Sequence, residues 1–284
     1  MIAFLGTGLL GSNFVRAMRR RGEDVQVWNR TASKARALEE CGAKVFDEPA
    51  LAVRGAARVH LSLSDDAAVD DVLERARAGL ANDVVVVDHT TTSATGTSAR
   101  AARWHERGVA FLHAPVFMGP QNALEATGLM LASGDRARFD ALLPELAKMT
   151  GKVSYLGPAP ERAAAFKLFG NMFLMFLTTG LADMLALAKA LGVPPVEAAA
   201  LFDQFNPGAT IGARAKRMLD GDFAHASWEL SMARKDARLM LEEAERHGAE
   251  LAVLPAIARE MDKWIERGHG GDDWTVIAKD SVTY

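Results

Sequence analysis

Apolar residues in the first half of the chain fall into short unbroken runs, separated by stretches in which they recur every three or four positions. The runs Ile2–Leu5, Val25–Trp28, 59–63, 84–88, 110–114 and 130–132 read as strands, and the patterns at 67–78 and 97–107 read as helices. Strands that are apolar on both faces and alternate with helices predict an α/β fold with a doubly wound parallel sheet. In such sheets ligands bind beyond the carboxyl ends of the strands, where Ser64-Asp65 and Thr90-Thr91 stand. The texture changes at the turn-rich Gly157-Pro158-Ala159-Pro160. Beyond it one long helix is predicted from 163 to 191, ended by Gly192 and Pro194-Pro195, with further helices at about 195–204, 208–219, 228–247 and 252–267. The predicted organisation is a sheet domain over 1–160 and an all-α domain over 161–284, joined by the long helix. That helix is apolar nearly all round from 168 to 181. Asn171 and Asp183 bracket a run shorter than the roughly 20 residues of a membrane span. A helix apolar on every side is a buried one, so it is expected to form the spine between the domains and to offer a homodimer interface.

The first strand runs into Gly6-Thr7-Gly8-Leu9-Leu10-Gly11, followed by an amphipathic helix carrying Phe14, Val15 and Met18. In this setting the three glycines of the GxGxxG pattern permit, in turn, a tight bend, close approach of backbone to a pyrophosphate, and close helix–sheet packing. The unpaired N–H groups of the helix start then receive the diphosphate, which identifies 1–160 as a Rossmann dinucleotide-binding domain. The second strand ends in Asn29-Arg30-Thr31, with Lys34 one turn later, where an NAD site usually carries a carboxylate for the ribose hydroxyls. A guanidinium pairs with a 2′-phosphate in fork geometry and Thr31 adds a donor, so NADPH is expected in preference to NADH. The plainer reading of Arg30 is a solvated cation at a helix start, a place where positive charge is electrostatically unhelpful.

Composition narrows the class further. With 49% hydrophobic and 24% charged residues the chain is an ordinary globular one, and its formal net charge of −3 offers no global field for nucleic acid or an anionic membrane. Arg19-Arg20-Arg21 closes the first helix, where cations suit the helix dipole without any ligand. The single cysteine, Cys41, permits no internal disulfide, and no secretory signal precedes the first strand, so a cytoplasmic setting is expected. Cys41 and the seven histidines never fall into metal-ligand spacing, and no GxSxG elbow is present.

Within the long helix Lys167 and Asn171 stand four residues apart and share a face. An ammonium among Phe166, Leu168 and Phe169 would have a depressed pKa suited to proton donation, although a snorkelling surface lysine is an equally simple reading. Asn171, if buried, requires a hydrogen-bond partner. His113 is expected to be a strand-end histidine satisfied by backbone, and Asp65-Asp66 and Asp70-Asp71 to be caps and solvated charges. Gln121-Asn122 are expected to serve loop hydrogen bonding, with replacement polar groups for a substrate as the alternative.

Taken in order, these motifs resemble the β-hydroxyacid dehydrogenase family, the group of 3-hydroxyisobutyrate dehydrogenase, tartronate semialdehyde reductase and glyoxylate/succinic semialdehyde reductase. The resemblance covers essentially the whole chain. Phe4 to Gly11 and Trp28-Asn29-Arg30-Thr31 look like the family's NADPH-type N-terminus. Leu63-Ser64 falls where the family contacts its cofactor after the fourth strand, and Asp88-His89-Thr90-Thr91 looks like its Asp-x-Ser-Thr, implying a cofactor contact for Thr91. Phe166-Lys167-Leu168-Phe169-Gly170-Asn171 fits the KxxxN signature, which implies that Lys167 is the catalytic acid/base and Asn171 a substrate ligand. Lys235-Asp236-Ala237-Arg238-Leu239 is similar to Lys-Asp-xx-Leu, implying that Lys235 reaches the cofactor and Asp236 supports the substrate site. The segment from Gly268 to Asp273 resembles the family's closing segment. By this resemblance the protein is expected to reduce a small aldehyde or keto acid with NADPH, at a site between the two domains.

One segment departs from the pattern. Where the family runs Asp-Ala-Pro-Val-Ser-Gly-Gly, this chain has His113-Ala114-Pro115-Val116-Phe117-Met118-Gly119. In relatives the serine hydroxyl and glycine amides hold the substrate's carboxylate, whereas Phe117 and Met118 make that wall bulkier and more apolar. Either both side chains turn into the core and the amides still bind an anion, or the substrate carries its acid differently, or it is less polar altogether, a bulkier apolar carbonyl or an imine. Imine reductases of similar architecture usually lack the lysine, so Lys167 speaks against imines. A non-catalytic NADPH-binding protein is the rival from outside the enzymes.

Overall fold

The computed structural model describes residues 1–82 and 84–282, in two compact units that divide after Asn171. The first contains six parallel strands, β1 (Ile2–Leu5), β2 (Val25–Trp28), β3 (Lys44–Val45), β4 (Arg58–Leu61), β5 (Val85–Asp88) and β6 (Ala110–His113), in the order β3-β2-β1-β4-β5-β6. Helices α1 (Leu9–Arg20), α2 (Ala32–Arg36), α3 (Pro49–Val53), α4 (Asp66–Ala76) and α5 (Ala94–Glu106) connect them. All four residues of β1 are buried, as are those of β2, which is why both read as unbroken apolar runs. Register places the site: Leu5 pairs with Trp28 and Leu61, and Leu61 with Asp88. Gly6, Asn29, Ser62 and His89 therefore leave the sheet at one edge, where the strand order reverses at β1 and β4.

The run at 130–132 does not join this sheet. It lies in β8 (Leu129–Ala132) of a separate three-stranded sheet, between β7 (Val116–Phe117) and β9 (Lys152–Tyr155), with α6 (Pro120–Glu125) and α7 (Arg136–Leu146) in the connections. Pro115 has no N–H with which to extend a ladder. Its carbonyl accepts from Leu131 N–H, and β7 then runs antiparallel to β8.

Helix α8 (Arg162–Ala190) belongs to both units. Its first turn is anchored in the N-terminal unit, where Ala163 and Ala164 are fully buried and Ala163 N–H donates to Ser133 Oγ at 2.9 Å. Compactness thus divides the chain at 171 and not at 160, where the composition changes. The C-terminal unit continues with α9 (Pro195–Ala199), α10 (Ile211–Asp220), α11 (Leu230–Arg246), α12 (Leu254–Trp264) and α13 (Lys279–Val282), and Leu230, Ala233, Met261, Trp264 and Val276 are in its core. The helix expected over 252–267 runs as α12 to Trp264 and continues through a π turn until Gly268, at φ +88°, breaks it. Asp183, midway along α8, accepts from the N–H groups of Ala252, Val253 and Leu254 at 2.7, 2.9 and 3.1 Å and so caps α12.

The expectation that α8 is buried fails for the single chain. Phe169, Met172, Met175 and Phe176 are 57, 52, 66 and 57% exposed. The helix packs through its first turns and through Asp183, and its apolar middle faces outward.

Candidate active site

Two contacts shape the glycine loop. Gly6 takes φ +96°, and a Cβ there would lie 2.2 Å from the Ser62 carbonyl oxygen. At Gly11 a Cβ would meet the Gly6 carbonyl oxygen at 2.0 Å, so this glycine lets α1 press onto the loop. Gly8 differs: nothing lies within 4 Å of where its Cβ would be. Its bareness serves no packing within the chain, and it stands as the N-cap of α1 with no side chain on the first N–H groups. A backbone left open at a helix N-terminus fits a diphosphate.

The loop opens into a groove of about 430 Å³. Gly6, Gly8, Leu9, Leu10, Asn29, Arg30, Thr31, Lys34, Leu63, Ser64 and Thr91, all singled out by the sequence motifs, line it. Gly11 lies beneath, and Thr7 is buried with its N–H donating to Asn29 Oδ1 at 2.9 Å. The Asn29 amide group in turn donates to the Thr31 carbonyl at 3.0 Å. Asn29 is thus the strut that fixes the glycine loop to the end of β2, a use its sequence position did not disclose. Among the described residues neither Arg30 nor Lys34 forms an ion pair, and both are exposed in the groove. The carboxylate in the lining, Asp71, pairs with Arg75 at 3.7 Å.

The ends of β4 and β5 are joined by hydroxyl chemistry. Thr90 Oγ1 accepts from Leu63 N–H at 3.0 Å, while Thr90 N–H donates to Asp88 Oδ1 at 2.9 Å. Behind them lies a buried relay that the sequence reading missed, because its members come from β4 and from the residues just past β5 and β6. Arg58 Nε–H donates to His60 Nε2 at 3.1 Å, His60 Nδ1 meets His89 Nε2 at 2.9 Å, and His89 Nδ1 meets the Ala114 carbonyl at 2.7 Å. Only one tautomer satisfies that carbonyl, so the protons run Arg58 to His60 to His89 to Ala114. Burial lowers both histidines, His89 to about 4 and His60 well below its ordinary value. His89 also reaches the groove. His113 is not satisfied by backbone as expected. Its Nδ1 lies 3.6 Å from Asp88 Oδ2 with both side chains fully buried, and neither ring nitrogen makes a hydrogen bond. Asp65 does cap α4, accepting from Ala68 N–H at 2.8 Å. Asp66 and Asp70 instead hold the fully buried Arg100, so they are not simply solvated charges.

Lys167 lies on the second turn of α8 and is 9% exposed. Among the described residues it has no ion-pair partner, and burial holds its ammonium below the ordinary lysine value. Its Nζ stands 4.1 Å from the centre of the Phe117 ring. Asn171, one turn on, is partly buried. The two residues that break the family pattern behave differently. Met118 packs against the core of the N-terminal unit, whereas Phe117 stays beside Lys167. Gly119 N–H is taken by Asn122 Oδ1 at 2.8 Å, and Asn122 Nδ2 donates to Thr127 at 2.9 Å. Asn122 thus does loop hydrogen bonding, and Pro120 has no N–H to offer. On α11 of the C-terminal unit, Lys235 and Asp236 pair with each other at 2.7 Å.

Residues 1–157 match the family described as the NAD binding domain of 6-phosphogluconate dehydrogenase. Residues 160–281 match the C-terminal domain described as NADPH-dependent reductive aminase-like. An uncharacterised oxidoreductase of Shewanella frigidimarina is 30% identical over 90% of this chain and 89% of its own length. Glyoxylate/succinic semialdehyde reductase 2 of Arabidopsis thaliana is 26% identical over 96% of this chain and 76% of its own. The chain belongs to the β-hydroxyacid dehydrogenase family. As a member it is an oxidoreductase that uses a nicotinamide cofactor. Among solved structures, the imine reductase of Streptomyces aurantiacus is 27% identical with a TM-score of 0.90, each chain covered to 99%. In this β-hydroxyacid dehydrogenase family member Lys167 and Asn171 fall within the segment that matches the reductive aminase-like C-terminal domain.

Proposed function

We propose that the protein is an NADPH-dependent carbonyl reductase in which Lys167 is the proton donor. The observation that carries this reading is a buried ammonium without a counter-ion, one helical turn from Asn171. When bound, the nicotinamide supplies the hydride. The chain's own residues do the rest. Gly8 and the start of α1 receive the diphosphate, and Arg30, Lys34 and Thr31 receive a 2′-phosphate. Lys167 gives a proton to the carbonyl oxygen and its charge stabilises the developing alkoxide, while Asn171 orients the substrate by hydrogen bonding. In the oxidative direction the neutral amine takes the proton back. A lysine depressed by burial can serve both roles nearer neutrality than an ordinary one.

The reductive aminase-type C-terminal domain favours a second reading, reduction of imines. Lys167 argues against it. An iminium arrives already protonated and positively charged, so it needs no acid and is repelled by an ammonium. A homodimer is also proposed, because the apolar middle of α8 is exposed in the single chain and large exposed apolar patches mark interfaces. With 29 residues and a mean hydropathy of 1.5, α8 is long and apolar enough to cross a membrane. The use of Asp183 to cap α12 speaks against a spanning segment.

The test is NADPH oxidation followed by absorbance against paired substrates: glyoxylate, succinic semialdehyde and tartronate semialdehyde beside benzaldehyde, a cyclic ketone and a cyclic imine. Turnover of carbonyls above that of the imine is expected. Turnover confined to the imine would remove Lys167 from the role of acid.

A further inference from the structure

The Phe117 ring occupies space that only a glycine leaves free. A Cβ on Gly170 would lie 2.2 Å from Phe117 Cζ, 2.6 Å from Cε1 and 3.3 Å from Cε2. The ring therefore enters a notch in α8, and its face carries the Lys167 ammonium 4.1 Å from its centre. Gly170 and Lys167 are three residues apart on one helix face, so one ring touches both. Segments 114–119 and 164–171 carry no titratable group besides Lys167, and among the described residues no acid, histidine or second cation pairs with it. A buried cation normally requires a carboxylate or hydrogen-bond acceptors. Here it has an aromatic quadrupole, whose negative face is the one source of opposing charge that leaves the pocket apolar.

We infer that Phe117 is a positioning residue for Lys167, seated by Gly170, and that this pair replaces the anion-binding wall with an aromatic one. The inference rests on Lys167 acting as the proton donor. It makes the substrate a carbonyl compound without a carboxylate beside the reacting carbon. The hydroxyl-free Phe117 ring and the occupied Gly119 N–H leave little with which to hold such a group.

Substitutions at Phe117 and Gly170 test it. Phe117→Leu keeps an apolar side chain beside Lys167 but removes the π face. Reduction is lost as pH rises through the lysine pKa, and the ring stabilises the charged form. In Phe117→Leu that limb is therefore expected to move toward acid by about one pH unit, with kcat down about tenfold on its alkaline side and the NADPH KM unchanged. A limb unmoved in Phe117→Leu, or moved toward alkali, overturns the inference. Gly170→Ala is read by thermal unfolding. It should lower Tm when Phe117 is present and raise it in a Phe117→Ala background, where only the better helix propensity of alanine remains. The same sign in both backgrounds removes the seat. Because unfolding needs no turnover, a chain whose ring seat holds but which reduces no carbonyl overturns the reductase reading alone.

Discussion

Arg30 stands exposed at the end of β2 in the lining of the groove, and the proposed preference for NADPH rests on that residue. Arg30→Asp should weaken NADPH binding far more than NADH binding in fluorescence titrations, since a carboxylate repels the 2′-phosphate and accepts from a free ribose hydroxyl. Equal losses for both cofactors would refute the assignment. Lys167→Ala should leave cofactor affinity nearly intact and cut turnover on the order of 10²-fold or more, as for loss of a positioned acid. Unchanged turnover would take Lys167 out of the reaction. Most of the groove was legible because each of its residues sits beside a strand end that the apolar runs already located. The struts were not. Nothing near Asn29 in sequence shows that its carbonyl oxygen receives Thr7 N–H, and the fit of Phe117 to Gly170 joins positions far apart in the chain.

Among the elements, long apolar strands were readable and short ones were not. β3 and β7 have two residues each, too few to show any period, and β9 alternates Lys-Val-Ser-Tyr with no fully buried residue. The second sheet was hidden for that reason. The relay across β4, β5 and the Ala114 carbonyl was hidden for another: histidine periodicity carries no pairing information until strand order is known. It nonetheless sets a measurable property. His60 and His89 are neutral when folded and take up protons on unfolding, where their pKa returns to about 6.5. Stability is therefore full above about pH 6.5 and falls as the pH drops toward 4, by up to about 1.4 kcal/mol per pH unit for each histidine. Calorimetric Tm should decline steeply across that window, and a flat profile would mean that the relay relaxes or is wet.

For the whole molecule, the apolar middle of α8 is the feature that a single chain leaves unfinished. Sedimentation should give twice the 30.5 kDa of one chain, and dilution should lower specific activity if the second copy completes the fold. A stable, fully active monomer would dispose of the homodimer. The length of α8 was legible because Pro194 and Gly192 punctuate its end, but its outward-facing middle was not, since apolarity alone does not say which molecule covers it. Its dual membership has a practical consequence for anyone who recombines relatives. A crossover placed where the family descriptions meet, near 160, sends Lys167 and Asn171 with the incoming C-terminal half. One placed at the compactness boundary after Asn171 leaves them with the parental half, Lys167 still beside Phe117. Hybrids from the first crossover take Lys167 and the ring beneath it from different parents, and those from the second take both from one parent.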